Sequence, residues 1–316
     1  MDQLIQTLII GLADGLIFAL VALGYTLVYG IIELINFAHG DVFMIGSMIS
    51  FFLLAPIDPN GGLGIFELTA STSASEKIVK IVATLIITIA ITAILNVAIE
   101  RLAYRPLRHA PKVAPLISAI GMSFVLQNVG IFLIGSNQRT VENPFPTVNL
   151  LSVFGITGFA ITVSEVFVAA VTVPLLFALT FFVARTRQGR AMRATAQDPD
   201  TAGLMGVDVN RTIALTFLIG GALAGAAGVV QILYNNVTVY NLGFRYGLNS
   251  FTAAVLGGIG NLQGAVLGAL ILGQVNAFSD RYIAPAWTNA IVFGVLIAIM
   301  VFRPTGLLGQ QLAERA

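Results

Sequence analysis

Cysteine is absent from this 316-residue chain, lysine occurs only as Lys77, Lys80 and Lys112, and the two histidines are His39 and His109. Each shortage removes a class of chemistry. Without cysteine there is no disulfide framework, no thiolate metal site and no cysteine nucleophile. The histidines stand in different segments with no carboxylate or cysteine at ligand spacing, so neither a zinc centre nor a hydrolase triad is written here, and no catalytic or metal-binding residue is assigned. The lysines follow Glu76, Val79 and Pro111 rather than glycine, so the Gly-Lys-Ser/Thr loop that cradles nucleotide phosphates is missing and ATP hydrolysis by that route is excluded. Charge is scarce as well: 10% of residues are charged, against about a quarter in a soluble domain. A net charge of +1 gives no footing for nucleic acid. No Lys or Arg precedes the first apolar run, which argues against a cleaved signal peptide and predicts that the first span is retained.

What the chain has instead is apolar length. Hydrophobic residues make up 57% and the mean hydropathy is +0.92. Apolar runs near the roughly 20 residues that cross a bilayer as helix recur from end to end. A membrane barrel would alternate apolar and polar residues, whereas these runs are continuous blocks of Leu, Ile, Val, Ala and Gly. The reading is an all-α polytopic membrane protein, one transmembrane domain over 1–316, whose eight or so hydrophobic segments lie near 8–29, 38–55, 78–100, 113–135, 160–184, 210–233, 248–275 and 286–302. Orientation follows from the cations. Arg101, Arg105, Arg108 and Lys112 share one loop, and Arg185, Arg187, Arg190, Arg193 and Arg211 share another, so both loops are placed in the cytoplasm. Loops 56–77, 136–159 and 234–247 carry few cations and are placed outside.

Two segments are not plain helices. "NFAHGDVFMIGS" (36–47) sets Asn36, His39 and Asp41 with two glycines at the start of a span, and "GGIGNLQGAVLGA" (257–269) interrupts another with Gly257, Gly258, Gly260, Asn261 and Gln263. Helices broken at corresponding places in two halves mark transporters, often with inverted repeats, because unwound backbone survives at membrane depth only where protein or a water-filled cavity satisfies it. Reading both as re-entrant puts Arg303, Arg315 and both termini in the cytoplasm, with eleven cations inside against five outside; eight straight spans give ten against six. Asn36, Phe37, His39, Gly40, Gly258, Gly260 and Asn261 are the candidates for the lining of a translocation path, with packing alone as the alternative. The ionisable residues at membrane depth, Asp14, Glu33, His39, Asp41 and Glu165, are each functional candidates; the favoured alternative is that the first and last snorkel to an interface and that His39 and Asp41 cap a broken helix. Gly11 with Gly15, Gly221 with Gly225, and Gly260, Gly264 and Gly268 are four apart, the spacing that lets helix backbones approach.

The polar stretch "GRAMRATAQDPDTAGLMGVD" (189–208) contrasts with all of this. Asp198 before Pro199 reads as an N-cap with proline at the first helical position, and Gly206 as the stop, so a helix of about two turns is predicted. Ahead of it, Arg190 and Arg193 share one face of a second helical piece. Headgroup contact explains the arginines; it does not explain capped helices rich in Ala and Gly, which look like a docking surface. The cytoplasmic coupling segment is therefore set at about 186–210, with Arg190, Arg193, Asp198, Pro199, Ala202, Gly203 and Gly206 as its residues.

"YTLVYGIIELINFAHGDVFMIGS", "ERLAYRPLR", "LISAIGMSFVLQN", "GRAMRATAQDPDTAGLMGVDVNRTIALTFLIGGALAGAAGV", "FTAAVLGGIGNLQGAVLGALILG" and "RPTGLLG" together resemble the LivH-type permeases of bacterial branched-chain amino acid ABC transporters, over nearly the whole chain. The resemblance implies a non-enzymatic permease subunit of the cytoplasmic (inner) membrane that carries leucine, isoleucine and valine. Its implied partners are a second, LivM-like permease, two cytoplasmic ATPases and an extracytoplasmic amino-acid-binding protein, besides the lipid bilayer. It implies no cofactor on this chain; ATP and Mg belong to the ATPases. The segment 189–208 corresponds to the family's coupling region, with Ala196, Ala202 and Gly203 in place of the strict EAA spelling of other importers. Similar permeases serve urea and short amides, and an ion-driven secondary transporter would share the broken helices. A membrane-embedded enzyme would need a nucleophile, a metal cluster or paired acids at one depth, and the chain shows none.

Overall fold

The computed structural model describes residues 2–57, 62–69, 72–108, 110–111, 113–155 and 158–309; His109, Lys112 and Arg315 lie outside them. The architecture is helical: α1 (Asp2–Ile32), α2 (Ala38–Leu54), α3 (Ala74–Ile99), α4 (Val113–Ile134), α5 (Val163–Arg185), α6 (Arg187–Gln197), α7 (Pro199–Leu204), α8 (Val209–Asn235), α9 (Leu242–Gly257), α10 (Leu262–Tyr282) and α11 (Thr288–Phe302). A two-residue antiparallel pair joins β1 (Arg139–Thr140) to β2 (Val237–Thr238). Among the described residues, seven helical stretches are long and apolar enough to cross a membrane, and α2 is a shorter apolar helix. The chain is thus a multi-pass membrane protein. α1 and α8 form the centre, with 72% of each span window buried, while α5 and α11 lie at the periphery with 17% and 11% buried.

The ends of the bundle are fixed by side-chain contacts. Gln6, in the first turns of α1, accepts from the Ala160 amide just ahead of α5 (2.8 Å), so α1 and α5 run in parallel. Arg193 of α6 donates to the Val183 carbonyl at the far end of α5. Arg108, following α3, donates to Asn210 at the start of α8 (2.6 Å). The two arginine-rich loops therefore occupy one end, and the N-terminal residues the other. Residues 305–309 pack on Gly258 at the α9–α10 turn, and Gly260 of that turn faces Gly30 near the end of α1. Hence the described C-terminal residues sit at the arginine-rich end. The expectation that both termini share one side is not met by the described residues: Asp2 and residues 305–309 lie at opposite ends.

That reversal comes from the first break. α1 continues to Ile32, the chain turns at Glu33 with φ +52°, and α2 begins where His39 packs on Gly24 of α1. Gly24 lies eight residues, about 12 Å, inside the end of α1. The extended stretch and α2 then cross onward instead of returning, so this segment is not a re-entrant hairpin, and one more crossing precedes α3. The second break does form a hairpin: Gly257 packs on Gly264 and Gly268 on Ala253. The segment expected over 248–275 is two antiparallel helices, α9 and α10.

Glycine sets how near the helices stand. A Cβ on Gly15 would lie 2.9 Å from the Leu270 Cα of α10, and one on Gly221 3.0 Å from the Ala93 Cα of α3. The Gly221 side of α8 also receives a bond from Asn96 of α3 to the Phe217 carbonyl (2.6 Å). With lipid offering no hydrophobic drive between helices, such close packing and interhelical bonds are what associate them. Gly228 is the most constrained test: its Cβ would stand 2.5 Å from the Ser47 amide and 2.7 Å from the Phe43 carbonyl of α2, neither of which can swing away. Gly228→Leu should destabilise the bundle by at least about 1–3 kcal/mol, read as a lower unfolding temperature in detergent. Gly203→Leu, where nothing stands within 4 Å of the new Cβ, should leave that temperature unchanged; equal shifts would refute the packing account.

Candidate functional site

The polar stretch is a built element. Thr186 caps α6 by accepting from the Gly189 amide (3.0 Å), and Gly189, Met192 and Thr195 form its buried face. Arg193 ties α6 to the last turn of α5, whereas Arg190 is exposed. Asp198 caps α7, accepting from the amides of Asp200 (3.0 Å) and Thr201 (3.1 Å), with Pro199 first in the helix. Gly206, at φ +85°, ends the element, and the Val207 amide returns to the Ala202 carbonyl (3.0 Å). The predicted start and stop are both present. Ala202 is turned inward at 4% exposure, so of the two small residues only Gly203 is open. The sequence reading passed over Leu204 and Met205, which stand 88% and 82% exposed beside it. The signal was an apolar pair directly before the glycine stop of a polar helix.

The residues of the first break share one region but no common chemistry. Asn36 is buried and accepts from the Tyr104 hydroxyl (3.0 Å). Phe37 approaches Phe251 of α9 with ring centroids 6.3 Å apart. His39 is fully buried against Gly24 and the Tyr25 ring, 4.8 Å between centroids. Asp41 faces the other way, accepting from Ser123 of α4. Neither His39 nor Asp41 caps α2, whose N-cap is Phe37 without a side-chain bond; both lie buried in the first turn with their side chains turned to neighbouring helices. Glu165, expected at an interface, accepts from the Thr162 amide (2.8 Å) and completes a capping box at the start of α5. Asp14 is half-buried on α1, and Glu33 is exposed at the turn.

Gly40 marks where α2 crosses α9. A Cβ there would stand 2.8 Å from the Gly247 Cα, and one on Gly247 3.0 Å from the Tyr25 hydroxyl. Toward the arginine-rich end from this crossing lies a small apolar cleft lined by Tyr25, Tyr29, Ile35, Phe251, Ala254 and Ile259. It brings the two breaks together: Ile35 comes from the extended stretch and Ile259 from the α9–α10 turn. Gly258 and Gly260 hold that turn at φ +105° and +92°. Asn261 caps α10, accepting from the amides of Gln263 (3.0 Å) and Gly264 (3.1 Å). None of the seven break residues lines the cleft itself; Phe37 and His39 reach its walls by ring contacts with Phe251 and Tyr25, and Ile35 and Ile259, their neighbours in the two breaks, line it.

Glu100 is a buried ionisable group not anticipated from sequence. It lies in a π-helical turn, Glu100–Tyr104, its side chain is 1% exposed, and it pairs with Arg108. Burial lowers the Arg108 pKa and the carboxylate opposes that shift. Through Asn210 the pair anchors the end of α3 to the start of α8. Among the described residues no group of three His, Cys, Asp or Glu side chains is placed to hold a metal.

Residues 7–300 match the family model described as "Branched-chain amino acid transport system / permease component". The chain belongs to this permease family. The permease is 40% identical over 311 residues to the high-affinity branched-chain amino acid transport system permease protein BraD of Pseudomonas aeruginosa, covering 98% of this chain and 97% of that one. It is 38% identical to the corresponding LivH of Escherichia coli K12, with the same coverage. A partial likeness, 35% identity over 147 residues, 44% of this chain and 42% of the other, connects it to the autoinducer 2 import system permease protein LsrC of Klebsiella pneumoniae. All three relatives are named as permeases rather than enzymes. For the permease, Arg108→Met should leave the Glu100 carboxylate buried without its counter-charge and cost about 3–5 kcal/mol, while adding Glu100→Leu should recover most of the loss. Thermal unfolding decides: equal destabilisation of the single and double variants would show that the pair is not the anchor.

Proposed function

We propose that this permease is a membrane subunit of an ATP-driven importer of branched-chain amino acids, set in the cytoplasmic membrane with its arginine-rich end inward. The orientation rests on the positive-inside rule: of the fourteen cations among the described residues, nine stand at that end, and Lys77, Lys80, Arg139, Arg245 and Arg281 lie toward the other. The N-terminus is then extracytoplasmic and residues 303–309 cytoplasmic. α6 and α7 are the coupling element. The observation that carries this reading is α7 itself, capped at both ends and presenting the exposed pair Leu204 and Met205 next to open Gly203. An apolar pair projecting into cytoplasm suits a cleft on an ATPase subunit, to which this chain supplies no nucleotide loop of its own. A second permease, two ATPases using ATP and Mg, and an extracytoplasmic binding protein complete the assembly; no cofactor resides on this chain.

The cargo reading rests on the full-length likeness to BraD and LivH. An amino acid with an aliphatic body needs apolar walls, and the cleft between the breaks supplies aromatic and aliphatic side chains. Urea and short amides have no such body. Nor do His39 and Asp41, pointing to opposite sides of α2, form the chain of titratable groups that proton coupling requires.

The chain reconstituted with its co-purifying partners should hydrolyse ATP faster in the presence of leucine, isoleucine or valine with the binding protein, and not with urea. Stimulation by urea alone would overturn the cargo. Gly203→Trp, which meets no neighbour in the isolated chain, should insert normally yet lose ATPase association and uptake; uptake at the unaltered rate would overturn the coupling role of α7.

A further inference from the structure

The terminal motif "RPTGLLG" is engaged by none of the roles above, yet its contacts are specific. The Leu307 amide donates to the Leu256 carbonyl (2.9 Å) and the Leu308 amide to the Gly257 carbonyl (3.0 Å). These carbonyls end α9 and have no helical partner of their own. The Asn261 side-chain amide closes the arrangement on the Leu308 carbonyl (2.8 Å). Gly306, at φ +78°, presses on Gly258, where a Cβ would come within 2.6 Å of the Gly258 Cα. Residues 305–309 therefore bind the turn that carries Ile259, and Ile259 is one wall of the apolar cleft.

We propose that this cleft is a station for the aliphatic side chain of the transported amino acid, and that residues 305–309 are the strap that closes it toward the arginine-rich end. The proposal rests on the importer reading above. The lining is apolar apart from two tyrosine hydroxyls, so its chemistry suits a branched hydrocarbon group; the closed cleft has only about 10 Å³ of free space, so such a group enters when the strap opens. On the side of α2 and α9, the Gly40–Gly247 crossing closes it. On the strap side the closure is made of hydrogen bonds, and at a water-facing end those exchange for bonds to water at little net cost. Gly258 and Gly260 flank Ile259 with backbone angles that an L side chain rarely adopts, so the wall between them can swing without steric penalty. The crossing at depth has no water to replace what it would lose. The strap is thus the closure that opens readily.

The absence of native cysteine makes this measurable. Ala254→Cys places one thiol in the cleft wall of the assembled complex, and its alkylation by a membrane-impermeant maleimide is followed by mass shift of this chain. With the strap intact and no nucleotide, labelling should be slow. Adding Gly306→Ala, which forces the strap off Gly258, should raise the rate about tenfold, as a tenfold rise in open population would. Leucine should slow the labelling and urea should not. If Gly306→Ala prevents assembly, Asn261→Asp, which keeps the side-chain oxygen that caps α10 but loses the amide that donates to Leu308, is read in the same way. An unchanged labelling rate in the strap variant, or no protection by leucine, overturns the proposal. The labelling needs no ATP. Loss of leucine-stimulated hydrolysis in the unsubstituted complex would instead count against the importer reading, so the two failures are distinguishable.

Discussion

A helix broken inside a lipid bilayer must have the amides and carbonyls it frees shielded from lipid by the protein or by water, and both breaks of this permease lie against other elements of the bundle. At the first break, the extended stretch after Glu33 runs beside α1, where the Asn36 side chain accepts from the Tyr104 hydroxyl, the His39 amide donates to the Asn36 carbonyl (3.0 Å), and Leu34, Ile35 and Phe37 are half-buried. At the second, the carbonyls that end α9 are taken by the amides of Leu307 and Leu308. The two breaks solve one problem in different ways. One is an irregular strand buried at depth; the other is a glycine turn at the surface, stitched by the tail.

Close approach follows from the same condition. Half-length helices must lie against full-length neighbours to be enclosed, and the crossings of α2 with α8 and α9 admit no Cβ at Gly228 or Gly40. Around these contacts sits a stripe of buried hydroxyls on α3, Thr84, Thr88 and Thr92, followed by Asn96. Thr92 bonds back to the Thr88 carbonyl (2.7 Å), and Asn96 bonds across to α8. A central pair, α1 and α8, thereby carries the irregular elements, and the apolar peripheral helices α4, α5 and α11 are free to present hydrophobic surface outward.

The arginine-rich end is organised around charge, as in part is the other, where Lys80 pairs with Glu76 (2.7 Å). Arg193 returns to α5, Arg108 to Glu100 and Asn210, and Arg211 to Asp208 (3.0 Å). α6 is therefore tied to the last turn of α5 through Arg193 and packs its buried face on the bundle, while Leu204 and Met205 project away from it.

The sequence by itself determined the helical membrane class, the arginine-rich end, the glycine seams and the boundaries of α7, because each depends on composition or on a few neighbouring residues: hydropathy over a span, cation counts in a loop, an Asp-Pro cap and a glycine stop. It located both breaks for the same reason, since clustered Asn, His, Asp and Gly interrupt an apolar run. Only the tertiary structure decided where those breaks lead. Whether the chain after Glu33 turns back or crosses onward depends on which helix His39 finds to pack against, and that is Gly24 of α1. This contact puts Asp2 at the end opposite residues 305–309, while the described cations keep the grouping expected of them. The pairing of Glu100 with Arg108, the inward turn of Ala202 and the seating of "RPTGLLG" on the α9–α10 turn were likewise closed to local reading, since each joins residues whose neighbourhood exists only after the helices have packed.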